Sequence, residues 1–157
     1  MKQRIYIDTS IVGGYYDKEF SEATIALFER LKNKEVVFVV SDLMQGELEK
    51  APAHVQELLH TYEKDYPDCF EYVVATQEAT ELADKYIAEK VAGKASYTDC
   101  RHIAVATVNK VDIVASWNFK HIVNLDKIRG YNAINLKLGN VILEIRNPKD
   151  LIKYGND

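Results

Sequence analysis

The sequence predicts a three-layer α/β/α domain built on a central, mainly parallel sheet of about five strands. Three observations carry this. Short runs rich in Val, Ile and Tyr alternate with longer stretches of helical spacing, in the order β-α-β-α-α-β-α-α-β-α-β. The run "VVFVVS", 36–41, is apolar almost without a break, as in a strand covered on both faces. The 157 residues, 47% hydrophobic, suffice for one full core and are too few for two ordinary domains, so 1–157 reads as a single domain.

Each element has its own signal. Arg4–Asp8 reads as the first strand. Ser21 can cap a helix in which Leu27, Phe28 and Leu31 share a face. After the 36–41 strand, Asp42–Lys50 reads as a short helix, and Pro52 can open the next, which runs to about Asp65. "FEYVV", 70–74, is a strand. Thr76–Val91 is a helix with Ala79, Leu82, Ala83, Tyr86 and Ile87 on one side, and Tyr97–Asn109 is another. "DIVAS", 112–116, is a strand. Asn124–Leu138 is expected to be helical with an interruption near Gly130. Gly139-Asn140 then turns the chain into a strand over "VILEI", 141–145, which Pro148 ends.

Composition narrows the function. The net charge of −4 argues against a protein that holds nucleic acid by bulk charge. Charge is unevenly spread, however. Residues 42–90 hold twelve Asp/Glu against four Lys, whereas 117–138 hold Lys120, Lys127, Arg129 and Lys137 against Asp126 alone. Cys69 and Cys100 are far apart and form no metal-binding or disulfide pattern. No apolar run is long enough to cross a bilayer, and the first residues enter a strand rather than a signal-peptide segment. The expected location is therefore the cytoplasm, with no membrane partner.

In open parallel sheets, ligands bind beyond the carboxyl ends of the strands, where strand order reverses. Asp8 ends the first strand, and Asn118 lies just past the end of the 112–116 strand. If those strands are neighbours, both side chains face one crevice. Glu47 sits one turn into the helix after the 36–41 strand, and Asp99 in the first turn of the helix 97–109. Each acid also has an ordinary use. Asp8 can cap the turn at Thr9 and Ser10, Glu47 can be a solvated helix residue, and Asp99 can close a capping box with Ser96. Together, three carboxylates at one rim repel one another and raise each other's pKa unless a cation lies between them. Oxygen ligands without convergent His or Cys suit Mg²⁺ or Mn²⁺, ions that clamp phosphoryl oxygens and activate water. Thr9 and Ser10 are placed to hold a metal-bound water or a phosphate.

The pieces "IYIDTSIV", "VVSDLMQGELEK", "TDCRHIAVA", "VASWNFKHIVN" and "EIRNPKDLI" span nearly the whole chain. In this order and spacing, the sequence resembles the PIN-domain nucleases, in particular VapC-like toxins of toxin–antitoxin pairs. The resemblance implies a Mg²⁺- or Mn²⁺-dependent ribonuclease that leaves a 5′-phosphate and a 3′-hydroxyl. It matches Asp8, Glu47 and Asp99 to the family's metal-binding acids and Ser10 to a polar position beside the first. It also implies an RNA substrate, a cognate antitoxin protein and a homodimer. The departure is Asn118, near which many members carry a fourth acid; an amide oxygen can ligate but brings no charge. Asp126 lies eight residues further on, and Asp112 starts its strand at the opposite end of the sheet.

Around this set, Lys120, Arg129 and His121 are expected phosphate or RNA contacts. His102 lies one turn after Asp99 and can touch the site or be an internally satisfied core histidine. Trp117, Tyr15 and Tyr16 can stack on unpaired bases or pack into the core. Two other readings stay open: a PIN-like module that binds RNA or protein without cutting, and a phosphatase of small phosphoesters. The second is disfavoured because enzymes with a nucleophilic Asp commonly carry another Asp two residues on, and here that residue is Ser10.

Overall fold

The computed structural model describes residues 2–153. Five strands form one sheet in the order β3-β2-β1-β4-β5, with every neighbouring pair parallel. They are β1 (Gln3–Ile7), β2 (Val36–Ser41), β3 (Phe70–Val73), β4 (Ile113–Ala115) and β5 (Glu144–Arg146). The chain builds outward from β1 to β3, then crosses back to set β4 on the other side of β1. Strand order therefore reverses between β1 and β4, which meets the condition under which Asp8 and Asn118 share a crevice.

Among the described residues, seven α-helices cover both faces: α1 (Thr9–Gly14), α2 (Ser21–Lys32), α3 (Asp42–Leu48), α4 (Ala53–Asp65), α5 (Gln77–Ala88), α6 (Tyr97–Val108) and α7 (Leu125–Lys137). Side chains alternate across a strand, so β1 feeds two cores. Ile5 and Ile7 pack with Phe38, Val40, Ile113 and the inner faces of α1–α4. Tyr6 points the other way, into a core formed by Val39, Val114, Ile145 and helices α5–α7. At the amino end of the sheet, the Arg4 guanidinium reaches past β2 to Glu71 on β3, and Asp112 accepts the Arg4 N–H at 2.7 Å. Asp112 thus lies away from the acids, as its position in the sequence implied.

Four boundaries differ from expectation, each for a local reason. The segment after Asp8, to which the sequence assigns no element, is a six-residue helix that contains Gly13-Gly14. A Cβ on Gly14 would lie 2.6 Å from Trp117 Nε1 and 2.9 Å from Thr24 Oγ1, so close packing selects glycine there. Helix α5 stops at Ala88 rather than Val91 because Lys90 takes a left-handed φ of 62°. Helix α7 runs through Gly130 unbroken; a Cβ there would meet Val91 Cγ1 at 2.7 Å, so this glycine is a packing notch rather than a break. Strand β5 begins at Glu144, three residues late. Asn132 on α7 binds both the N–H and the carbonyl of Leu143, at 2.8 and 3.0 Å, and so takes groups a ladder would need.

The Gly14 contact yields a test. Gly14→Ala should push Trp117 off Thr24 and cost about 1–3 kcal/mol, the usual range for overpacking. Thermal melts with tryptophan emission as the probe would show a lower Tm; an unchanged melt would mean the helix shifts to make room.

Candidate active site

The carboxyl end of the sheet gathers the expected acids around β1. Asp8 leaves the strand in an extended conformation and precedes α1, but its side chain makes no capping bond. Instead, its carboxylate is buried and held by two serines. Ser10 Oγ donates to Oδ1 and Ser116 Oγ to Oδ2, both at 2.5 Å. The serine protons have little choice of direction. Ser10 Oγ accepts the Trp117 N–H at 2.9 Å, and Ser116 Oγ accepts the Asn118 N–H at 3.0 Å, which leaves each hydroxyl free to donate to Asp8. Two backbone dipoles are thereby relayed onto one carboxylate. Even so, burial holds the Asp8 carboxyl above the ordinary aspartate range, against the pull of both hydroxyls and of His102, and the charge of Glu47 adds to the rise.

Ser116 was not singled out in the sequence. The structure gives the reason it belongs to the site: Ile7 pairs with Ala115, so the next residues, Asp8 and Ser116, lie side by side.

Glu47 projects from α3 beside the site. Helix α3 starts where Ser41 ends β2 and accepts the Met44 N–H at 3.1 Å. Glu47 Oε1 bonds His102 Nε2, and Oε2 accepts Thr9 Oγ1 at 3.4 Å. His102 is buried, with its Nδ1 2.6 Å from the Tyr6 hydroxyl, which lies 2.7 Å from Ser41 Oγ. His102 Nε2–H donates to Glu47, and the Tyr6 hydroxyl bridges Nδ1 and Ser41 Oγ. Burial keeps the Tyr6 phenol far above the range in which it would ionise. For Glu47, burial pushes the carboxyl up, but the hydrogen bond and charge of His102, with Thr9 and Lys50, outweigh it and leave it below the ordinary glutamate range. His102 is therefore an internally satisfied histidine whose satisfaction includes a site acid.

Asp99 lies in the first turn of α6, half-buried. It forms no capping box, because Ser96 makes no side-chain cap and instead pairs with His121 Nδ1 at 3.1 Å. Asn118 Nδ2 donates to Asp99 Oδ1 at 3.2 Å. Burial raises the Asp99 carboxyl above its usual range, with Glu47 adding to the rise and His121, His102 and Asn118 opposing it.

Asn118 joins the acids to the loop after β4. Its Oδ1 accepts the N–H groups of Lys120 and His121 at 3.2 and 3.0 Å, and its backbone carbonyl accepts those of Ile122 and Val123. The amide oxygen is thus committed to the loop and the amide nitrogen to Asp99. An aspartate could supply only the first of these. Trp117 packs inward, stacked 4.1 Å from Phe20 with Nε1–H donating to Thr24 at 2.9 Å, so it serves the core. Lys120 and Arg129 are exposed, and Asp126 is exposed in the first turn of α7.

Asp8, Glu47 and Asp99 are hard oxygen donors, and burial or mutual repulsion holds two of them above their normal range. This donor chemistry fits a divalent cation such as Mg²⁺ or Mn²⁺. They line one rim rather than converging: among the described residues, no three His, Cys, Asp or Glu side chains form a ready ligand cluster. Glu47 is turned onto His102, and Asp99 onto Asn118.

The sheet order, the helices on both faces and the position of this rim define a PIN-like three-layer α/β/α fold. Solved structures share it at low sequence identity. VapBC2 from Rickettsia felis, bound to a DNA fragment from its promoter, aligns over 92% of this chain and 98% of its own, with a TM-score of 0.55 and 14% identity. FitAcB from Neisseria gonorrhoeae aligns over the same shares, with a TM-score of 0.59 and 13% identity. VapC20 from Mycobacterium tuberculosis, described as a sarcin–ricin-loop-cleaving toxin, aligns over 74% of this chain and 91% of its own, with a TM-score of 0.53 and 15% identity. No protein-family model and no curated protein sequence matches the chain. Among the described residues, no helix is long and apolar enough to cross a membrane.

Proposed function

We propose that the chain is a Mg²⁺- or Mn²⁺-dependent endoribonuclease of the VapC type, acting as the toxin of a type II toxin–antitoxin pair. The observation that carries this is the buried Asp8, cradled by Ser10 and Ser116 at the strand-order switch, with Glu47 and Asp99 on the same rim. A fold shared with VapC20 and with the VapBC2 and FitAcB structures supports it. Asp8, Glu47 and Asp99 would hold the ion, which when bound would polarise a phosphodiester and supply a hydroxide at neutral pH. The chain's own work is to orient these acids. Ser10 and Ser116 fix Asp8, His102 and Thr9 fix Glu47, and Asn118 fixes Asp99. Lys120 and His121 border the rim and would contact the RNA. An antitoxin, a homodimer and a cytoplasmic location belong to the same proposal.

The metal requirement is tested directly. RNA cleavage should appear with Mg²⁺ or Mn²⁺ and cease in EDTA. Cleavage that continues in excess chelator would exclude the proposed chemistry.

His102 is proposed as a positioning residue for Glu47. Outer partners of a metal ligand typically contribute about 10–100-fold in affinity. His102→Leu should weaken Mn²⁺ binding by about that factor in calorimetry without RNA, whereas His102→Gln, which keeps an N–H donor, should lose less. Equal Mn²⁺ affinity in a folded His102→Leu protein would show that Glu47 needs no such holder.

One observation favours a second reading, a module that binds RNA or protein without cutting it: the carboxylates do not converge, and the Asn118 oxygen is already bonded to the loop. Retained RNA binding with no Mn²⁺ binding at millimolar ion would favour it.

A further inference from the structure

The loop after β4 carries an exposed aromatic ring at the edge of the acid rim. Phe119 follows Asn118 directly, and 46% of its surface is exposed, whereas Trp117 two residues earlier is buried. The other strongly exposed aromatics are engaged elsewhere. Tyr72 bonds Glu63 on the β3 edge, and Tyr16 packs 4.7 Å from His54. Phe119 is left partly open to solvent beside two aromatic neighbours. Its centroid lies 6.0 Å from Trp117 in an edge-on contact and 6.1 Å from Phe20.

The support beneath it is fixed. Phe20 and Trp117 stack nearly in plane, with 18° between their rings, and Trp117 is bonded to Thr24 on α2. The backbone around Phe119 is closed by hydrogen bonds. Its N–H donates to the Trp117 carbonyl at 3.0 Å, and Asn118 gathers the next four N–H groups through its side chain and carbonyl. An apolar ring held rigidly in water beside a polar site costs free energy unless something covers it. Lys120, the next residue, is exposed and supplies a positive charge at the border of an acidic rim.

We propose that Phe119 is a stacking platform for an unpaired nucleobase, and that Lys120 takes a neighbouring phosphate of the same strand. This rests on the ribonuclease reading and assigns to its site a residue that positions the strand. Stacking on an aromatic face accepts any base, and a single lysine adds no base readout, so the subsite positions the strand and selects for an unstacked nucleotide. A rigid platform suits this use, because little side-chain freedom remains to be lost on binding.

The test uses the full chain in EDTA, which separates binding from cleavage, and short single-stranded RNAs with 2-aminopurine moved one position at a time. The wild type should quench the probe strongly at one position. Phe119→Ala should abolish that quench and weaken binding by about 5- to 100-fold, the range for one lost base stack, while Phe119→Tyr should keep both. Lys120→Ala should weaken binding at every sequence and lower its salt dependence by about one counterion, without moving the quenched position. Unchanged affinity and quenching in Phe119→Ala would overturn the platform and leave the ribonuclease reading intact. An unchanged RNA response, with loss of self-association or of antitoxin binding in that variant, would assign the ring to a protein contact and also overturn it. No RNA binding by the wild type would overturn both readings.

Discussion

Asp8→Asn should give a protein that is inactive and more stable. The loss of activity follows from removing the charge of the central proposed ligand. Since loss of an outer partner alone costs about 10–100-fold, the deficit in RNA cleavage should exceed about 100-fold. The stability gain follows from burial. The Asp8 carboxyl sits above its ordinary range in the folded chain, chiefly through desolvation. The stability contributed by such a group is full below the unfolded pKa, about 3.9, and is lost as pH rises through the folded value. Ionised Asp8 is therefore an unfavourable buried charge in the metal-free protein, which asparagine removes while keeping polar partners for Ser10 and Ser116. Each kcal/mol relieved should raise Tm by about 2–4 °C in a chain of this size. The gain should shrink as pH falls through the raised folded pKa of Asp8, where the wild-type acid takes up its proton. A melt in EDTA that is lower for the variant at pH 7 would show that the serine cradle already compensates the charge.

Asn118→Asp should lower the stability of the metal-free protein and strengthen its response to divalent ions. The substitution keeps an oxygen for the Lys120 and His121 N–H groups, so the loop should survive. It replaces an amide donor, 3.2 Å from Asp99, with a second carboxylate. Asp99 is half-exposed, so the repulsion belongs near the water-screened end of Coulomb's range, about 1 kcal/mol at 4 Å. That should appear as a fall of about 2–4 °C in EDTA at pH 7. The sign again depends on pH: a carboxyl raised by its neighbour regains that stability as the pair protonates below about pH 4. With Mn²⁺ present the order should reverse, giving a larger thermal shift than wild type and tighter binding in calorimetry. Equal Mn²⁺ affinity in the two proteins would place residue 118 outside reach of the ion.

Most of the fold was legible because its signals are local. The β-branched runs and the strand–helix alternation predict the layers, whereas the adjacency of β1 and β4 entered only as a condition and the cap expected at Ser21 does not form. The features that were not legible are tertiary. Gly130 reads as a break because nothing in a sequence shows Val91 pressing on it, and the close approach of Trp117 to Gly14 is equally invisible there. Residues 141–143 read as strand because the Asn132 bonds to Leu143 come from a helix. At the site, the positions of Asp8, Glu47, Asp99 and Asn118 followed from topology, but their partners did not. His102 looked like an optional neighbour, and its pairing with Glu47 depends on Tyr6 facing the second core. Asn118 looked like a missing acid, whereas its amide holds a carboxylate and a loop at once.

The serine cradle has one more consequence. Trp117 is the only tryptophan in the chain, and its own N–H is bonded to Ser10, which is bonded to Asp8. The Trp117 peptide is therefore two hydrogen bonds from the acid, while its indole is sealed from solvent against Phe20 and Thr24. The molecule carries an intrinsic optical gauge of its own centre: a change in the charge or occupancy of Asp8 reaches the indole through the peptide to which it is attached.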